Sequence, residues 1–101
     1  MSKNYTSILP VIHSNGTSAT QLYRDYCRAM NACVSTITAM QAIEFNGRDY
    51  YPLGEDAFSN ARKERDQIIT GIRAAFEYCL AHADQAQKAV QAKEEQEATR
   101  L

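Results

Sequence analysis

The segment "NGRDYYPLGEDAF", residues 46–58, interrupts a chain that otherwise carries the pattern of long amphipathic helices. It contains Gly47, Pro52 and Gly54, residue types that end helices and form turns. Apolar residues recur at helical spacing both before and after the segment, so it predicts a bend between two helices. We therefore expect an all-α fold in which two helices form an antiparallel hairpin.

The first helix is predicted over residues 18–45, which corresponds to a length of roughly 40 Å. Ser18, with Gln21 three residues later, has the form of a capping box at the helix start. Asn46 and Gly47 are predicted to mark the helix end, because Gly adopts the left-handed C-cap conformation without steric cost. The predicted apolar face repeats at steps of three and four residues and consists of Leu22, Tyr26, Met30, Cys33, Ile37 and Met40.

The second helix follows a connector predicted over residues 46–54. Glu55 and Asp56 are expected in its first turn, where negative charge suits the helix dipole. Its seam repeats in the same way and consists of Phe58, Ala61, Arg65, Ile68, Ile72, Phe76 and Cys79.

Two residues of this second pattern are unusual for a helix seam. Arg65 is the polar interruption, and it is expected to reach Ser35 or Thr36 on the first helix or to extend to the edge of the seam. Gly71 lowers helix stability by about 1 kcal/mol relative to Ala. Its small size would permit another helix to approach closely.

The chain divides into three predicted segments. Residues 1–17 form an extended N-terminal arm, because their apolar stretch is interrupted by Pro10. Residues 18–83 form the hairpin domain. Residues 84–101 contain good helix formers but few large aliphatic side chains, so they are predicted to form a polar, solvated helical extension.

Both helices carry a second apolar stripe beside the seam, formed by Tyr23, Cys27 and Val34 on the first helix and by Ile69 and Leu80 on the second. One seam between two helices cannot cover both stripes. The N-terminal arm could cover one of them, but self-association into a homo-oligomeric four-helix or larger bundle would cover them better. The sequence therefore predicts an oligomeric helical bundle.

Composition excludes several classes of function. The formal net charge is −1, from 11 basic and 12 acidic residues, which argues against DNA or RNA binding and against an acidic membrane surface. Cys27, Cys33 and Cys79 lie in apolar helical patterns without a C-x-x-C pair, so they are predicted to be buried free thiols. His13 and His82 have no partner at ligand spacing. We expect no metal, no cofactor and no enzymatic activity.

The first candidate binding site is the bend. Arg48 supplies a planar charged fork suited to phosphate, and Tyr50 and Tyr51 supply flat faces on which a base could stack. Asp49 could accept a hydrogen bond from a base edge or a sugar. The alternative is structural: Asp49 bonds the turn backbone, one Tyr packs on the hairpin end, and Pro52 stiffens the exit. For the whole cluster, the sequence favours neither alternative.

The second candidate is the start of the first helix, where Thr17 and Ser18 offer hydroxyl groups beside free backbone N–H groups. Arg24 lies two turns further along. Simple helix capping accounts for these residues more readily than anion binding does. In one hairpin the two candidates lie at opposite ends of the first helix, whereas an oligomer could join them. The sharpest hypothesis is a pocket made of Thr17, Ser18 and Arg24 from one chain and Arg48, Asp49, Tyr50 and Tyr51 from another.

The "NGTS" start and the "RDYYP" turn resemble those of a family of small helical-hairpin accessory proteins encoded by bacterial viruses and prophages, over about residues 13–82. The resemblance implies no catalytic residue. It implies a host bacterial cytoplasmic location and an anti-defence role, either as a sponge that sequesters a phosphate-bearing nucleotide signal or as an inhibitor or adaptor that docks on a host defence enzyme. A structural or assembly role in the phage particle is a third alternative.

Overall fold

The computed structural model describes residues 8–11 and 18–99. In this part of the chain, helix α1 (Ala19–Gln41) is followed by two short 3₁₀ helices (Gly47–Asp49 and Tyr51–Leu53) and then by helix α2 (Ala57–Thr99). The helices α1 and α2 pack against each other, and the described residues form no strand. The prediction of an all-α helical hairpin is confirmed.

The predicted N-terminal arm, residues 1–17, lies mostly outside the described residues. Its described part, residues 8–11, has no regular secondary structure and is exposed. Candidate residue Thr17 also lies outside the described residues.

Helix α1 begins as the sequence predicts. The Ser18 side-chain oxygen accepts a hydrogen bond of 3.0 Å from the backbone N–H of Gln21. The Gln21 side chain instead donates to the Asp25 carboxylate, at 2.8 Å. The Ser18 half of the predicted capping box is therefore present. The reciprocal bond is not formed, because the Gln21 side chain bonds Asp25, one turn further along the helix.

Helix α1 ends four residues before the predicted end at residue 45. Its last residue is Gln41, and the C-cap residue Ala42 keeps a right-handed conformation. The prediction of a left-handed C-cap at Gly47 is wrong, because among the described residues only Gly54 has a positive φ. The earlier end releases Phe45 from the helix, and its ring packs against the ring of Phe58 at the start of α2.

Helix α2 also differs from the prediction at its start. It begins at Ala57, so Glu55 and Asp56 precede the helix and no acidic residue lies in its first turn. The connection between the helices therefore runs over residues 42–56 and is longer than the predicted 46–54, because α1 ends earlier and α2 begins later than predicted.

The packed region of α2 extends beyond residue 83. The sequence predicts a solvated extension over residues 84–101, whereas Ala86 is only 1% exposed and Val90 is half-buried. Helix α2 runs without interruption for 43 residues, and the side chains over residues 91–98 are exposed. Small Ala side chains explain the difference, because they let the first turns of α1 pack closely without a large aliphatic residue.

The seam of α2 differs from the predicted seam at one position. Ile69 is 7% exposed and belongs to the core, whereas Ile68 is exposed. Placing Ile69 in the seam gives an uninterrupted alternation of four- and three-residue steps, which is the repeat of two helices packed at a shallow angle. The seam residues from the middle of α2 to its packed end are Arg65, Ile69, Ile72, Phe76, Cys79, Ala83, Ala86 and Val90.

Arg65 hydrogen-bonds neither Ser35 nor Thr36. Its guanidinium donates a hydrogen bond of 2.6 Å to the backbone carbonyl oxygen of Met40 and lies 5.0 Å from the centroid of the Phe45 ring. Gly71 is exposed, and a Cβ atom added there would have no heavy atom within 4 Å. Within residues 8–11 and 18–99 of one chain, no other element approaches Gly71.

Candidate functional site

Three aromatic rings close the end of the hairpin at the bend. The centroid of Phe45 lies 5.0 Å from that of Phe58 and 5.5 Å from that of Tyr50, and Tyr50 lies 5.9 Å from Phe58. These distances are in the range that favours aromatic pairs. The cluster joins the segment after α1, the bend and the first turn of α2.

Two arginines of α2 lie over this cluster. The guanidinium of Arg62 is 4.8 Å from the centroid of Phe58, and that of Arg65 is 5.0 Å from the centroid of Phe45. A cation over an aromatic face contributes about 0.5–1 kcal/mol at an exposed site. Aromatic and cation–π contacts therefore hold the bend against the start of α2.

The backbone of the bend is fixed by hydrogen bonds of its own. The N–H of Tyr50 donates to the carbonyl of Gly47 at 2.9 Å, and the N–H of Leu53 donates to the carbonyl of Tyr50 at 3.0 Å. Gly54 ends the second 3₁₀ helix with φ 118 and ψ 165, a conformation that is essentially restricted to Gly. The side chains on the bend are consequently held in defined directions.

The four predicted residues of the bend separate into two groups. Tyr50 is half-buried in the aromatic cluster, as the structural alternative predicts for one Tyr. Tyr51 is 73% exposed, and Arg48 and Asp49 are also exposed. The backbone N–H of Asp49 donates to the carbonyl of Asn46 at 3.2 Å, but its carboxylate makes no hydrogen bond within the described part of the chain. The side chains of Arg48, Asp49 and Tyr51 are thus exposed to solvent and accessible to a ligand.

The second candidate region lies at the other end of α1. Ser18 caps the helix, so its oxygen accepts one bond while its hydroxyl hydrogen remains available to donate. The first turn of α1 contains no acidic residue, so no negative side chain there compensates the positive end of the helix dipole. Arg24 is exposed and forms no ion pair among the described residues, whereas Arg28 lies 3.9 Å from Asp25.

One hairpin does not bring the two regions together. Helix α1 has 23 residues and separates Ser18 from the bend. At the helical rise this separation is roughly 34 Å, more than a single nucleotide can span. The composite pocket therefore requires a second chain.

A second aromatic cluster, which is not among the candidates predicted from the sequence, lies near the start of α1. The ring of Tyr26 stacks on the ring of His82 at 4.8 Å, and Tyr78 lies 4.3 Å from His82. Burial, followed by the interaction with Tyr78, raises the pKa of Tyr26. The four-residue spacing of Tyr78 and His82 on one helix face is the signal that could have indicated this cluster.

The three cysteines are free thiols, as predicted, but only Cys79 is buried, whereas Cys27 and Cys33 are half-buried. Cys79 is buried in the seam, and burial raises its pKa, with a smaller contribution from Cys33 on the facing helix. Cys27 is half-buried and hydrogen-bonds Tyr23, an interaction that raises the pKa of Tyr23. The thiols therefore serve as packing groups.

Within the described residues, no group of three or more His, Cys, Asp or Glu side chains is arranged to hold a metal ion. Neither α1 nor α2, over the range described, contains a stretch long and apolar enough to cross a membrane. Comparison with protein-family models, with curated proteins and with solved structures finds no match for this chain.

Proposed function

We propose that the chain is a non-enzymatic, phage-encoded inhibitor of bacterial immunity that sequesters a phosphate-bearing nucleotide signal between subunits. The observation that carries the proposal is that the two adjacent tyrosines of the bend point in different directions, one into the aromatic cluster and one into solvent. Tyr50 anchors the bend in the aromatic cluster, and the neighbouring Tyr51 is 73% exposed. An exposed aromatic face beside the exposed guanidinium of Arg48 suits a base and a phosphate.

The start of α1 supplies the complementary chemistry for phosphate. The uncompensated helix N-terminus attracts an anion, and the Ser18 hydroxyl hydrogen can be donated to a phosphate oxygen. Arg24 adds a positive charge that no carboxylate neutralises within the described part of the chain. Thr17 would add a second hydroxyl group.

A shared pocket would also explain why no enzymatic group is needed. A sponge binds its ligand stoichiometrically, so it requires complementary charge and a stacking surface but no nucleophile or general base. In this proposal Arg24 and Arg48 neutralise phosphate, Tyr51 stacks on a base, and Asp49 accepts a hydrogen bond from a base edge or a sugar. Tyr50 holds the bend in place beneath them. The phage origin and the immune target rest on the resemblance of the helix start and turn.

A second function is favoured by a different observation. Ile43, Tyr51 and Leu53 form exposed apolar surface around the bend, and Leu53 is 74% exposed. Exposed aromatic and aliphatic side chains are typical anchors of protein–protein contacts. The alternative is therefore a protein–protein inhibitor whose bend docks on a host defence enzyme.

Isothermal titration calorimetry with a panel of linear and cyclic nucleotides carrying one to three phosphates tests the main proposal. Binding of at least one nucleotide is expected, with an affinity that falls as salt is added. Arg48→Ala and Tyr51→Ala should each abolish or strongly weaken it. Absence of heat for every nucleotide at high micromolar concentration would defeat the nucleotide proposal.

Leu53→Ala is the matched control. Leu53 is as exposed as Tyr51 and lies on the same 3₁₀ helix, but it has neither a charge nor an aromatic face. The nucleotide proposal expects Leu53→Ala to leave nucleotide affinity unchanged. The protein-docking alternative expects Leu53→Ala and Tyr51→Ala to weaken capture of a host enzyme to a similar extent.

A further inference from the structure

One flank of the hairpin contains an open groove between α1 and α2. Its volume is about 330 Å³, and it is lined by Val34, Ile37, Thr38, Arg73, Phe76 and Glu77. The groove lies near the middle of α2 and in the last third of α1, between the bend and the start of α1. None of these residues belongs to either candidate binding region.

The groove coincides with apolar surface that one hairpin leaves uncovered. Val34 is 49% exposed, and Leu80, one turn beyond Glu77, is 43% exposed. Ile37 and Phe76 form the floor and are half-buried. Exposed aliphatic side chains beside a half-buried apolar floor are typical of a surface that another protein covers.

Two opposite charges border this apolar surface. Arg73 and Glu77 are exposed and lie one helical turn apart, yet neither forms an ion pair in the part of the chain that the structure describes. A cation placed four residues before an anion is the weaker orientation for a pair within one helix. Both charges are therefore available to a partner.

This arrangement is complementary to itself. When two α2 helices run antiparallel, with a two-fold axis at the height of residue 75, residue 73 of each lies opposite residue 77 of the other. Each Arg73 then faces the partner's Glu77, which gives two equivalent ion pairs around the apolar floor. Reciprocal contacts of this kind define an isologous interface.

We propose that this flank is the two-fold interface with a second copy of the chain. Val34 lies close to the height of the axis and packs against its counterpart in the second copy, and the ion pairs of Arg73 with the partner's Glu77 fix the register. The evidence for this interface is the apolar groove and the two charged residues that border it. Only the consequence for ligand binding rests on the proposed function.

That consequence concerns the distance between the two candidate regions. Because the ring of Tyr26 stacks on that of His82, the start of α1 lies beside about residue 90 of α2. Measured along α2, the start of α1 is about 22 Å from the two-fold axis. The bend, which lies beside Ala57, is about 27 Å from the axis in the opposite direction. The two-fold operation therefore brings the partner's bend to nearly the height of Ser18.

Charge reversal tests the interface. Arg73→Glu and Glu77→Arg should each place like charges opposite one another and weaken self-association by about tenfold or more, as measured by sedimentation velocity. The wild-type particle should be an even multiple of 11.3 kDa, and each single variant should dissociate to particles of half that mass or smaller. The two single variants, refolded together, should recover the wild-type mass, because each reversed charge then meets its opposite.

Lys93→Glu and Glu94→Arg are the matched controls, since they make the same charge changes on the exposed end of α2. They should leave the particle mass unchanged. Circular dichroism should show wild-type helicity in all variants. If a single variant loses helicity, the mixture of the two single variants still decides the matter, because each chain then carries like charges at positions 73 and 77 and only pairing between chains can restore the mass.

Three results would overturn the interface. These are a wild-type particle of 11.3 kDa at micromolar concentration, single variants with the wild-type mass, or a mixture that fails to reassociate. Calorimetry on the same samples separates this inference from the proposed function. If the variants associate as predicted but no nucleotide binds, the proposed function is contradicted and the interface is not. If the Arg73→Glu variant keeps the wild-type mass and still binds nucleotide, the interface is contradicted and the proposed function is not.

Discussion

The Arg65 guanidinium on α2 donates a hydrogen bond of 2.6 Å to the backbone carbonyl oxygen of Met40, in the last turn of α1. The last four carbonyl groups of a helix lack partners within the helix. The N–H of Ile43 also reaches the Met40 oxygen, at 3.2 Å. Arg65 thus satisfies the end of α1 from the facing helix and ties it to the cluster at the bend.

Arg65→Met should therefore destabilise the hairpin. Met retains the apolar stem but removes the charged hydrogen bond, whose net contribution is about 1.5–3 kcal/mol. We expect the lower end of this range, because the Ile43 N–H remains as a partner. Urea unfolding followed by circular dichroism measures the change. Arg62→Met is the control: it also removes a cation over an aromatic ring, but no hydrogen bond, and should cost only about 0.5–1 kcal/mol.

The two glycines of the bend should respond differently to Ala. Gly54 has φ 118, so Ala there is strained and should lower the free energy of unfolding by about 1–3 kcal/mol. A Cβ atom on Gly47 would meet only ordinary contacts, at 3.6 Å from Phe58 and 3.7 Å from Tyr51. Gly47→Ala should be neutral or slightly stabilising. Equal losses in thermal unfolding for both variants would contradict the described backbone of the bend.

The adjacent tyrosines of the bend should separate stability from binding. Tyr50→Ala removes one ring from the aromatic cluster and should destabilise the protein by about 1–3 kcal/mol. Tyr51→Ala, alone or together with Arg48→Ala, should leave the thermal midpoint within the error of measurement, because both side chains are exposed. A large loss of stability in the Tyr51→Ala variant would show that Tyr51 has a structural role in the turn, and would contradict the prediction that it is free to bind a ligand.

Stability should decrease at alkaline pH. Burial raises the pKa of Cys79 from 9.0 and that of Tyr26 from 10.0, so the folded state favours the neutral form of both. Their contribution is fully present below the ordinary values and is lost as the pH rises through the raised ones. The free energy of unfolding, measured in urea, should be level up to about pH 9 and then fall. Tyr26→Phe should make the fall shallower, because it removes one of the two groups whose pKa is raised in the folded state.

The helices and the Ser18 cap follow from local sequence, because periodicity and side-chain capping involve residues within one or two turns. The end of α1 does not follow locally. It depends on Phe45 packing against Phe58, which lies 13 positions away in the sequence. The choice of Ile69 over Ile68 for the seam depends in the same way on the facing helix. The burial of Ala86 depends on the close approach of α1, which the small side chain permits.

The candidate site was only partly predictable for a similar reason. Tyr50 and Tyr51 are identical neighbours, and only the geometry of the two 3₁₀ helices directs one ring into the cluster and the other outward. The separation of the two regions by α1 follows directly from helix length. Their pairing across chains is a property of an assembly, which depends on surface complementarity and not on local pattern.

Complementation between two inactive variants tests the shared pocket most directly. One variant carries Ser18→Ala with Arg24→Ala, and the other carries Arg48→Ala with Tyr51→Ala. Neither should bind nucleotide alone. Refolded together in equal amounts, they should recover about a quarter of the wild-type sites in calorimetry, because half of the pairs are mixed and each mixed pair has one intact pocket. Recovery of no sites, in a mixture shown by sedimentation to have reassociated, would contradict a pocket built from two chains.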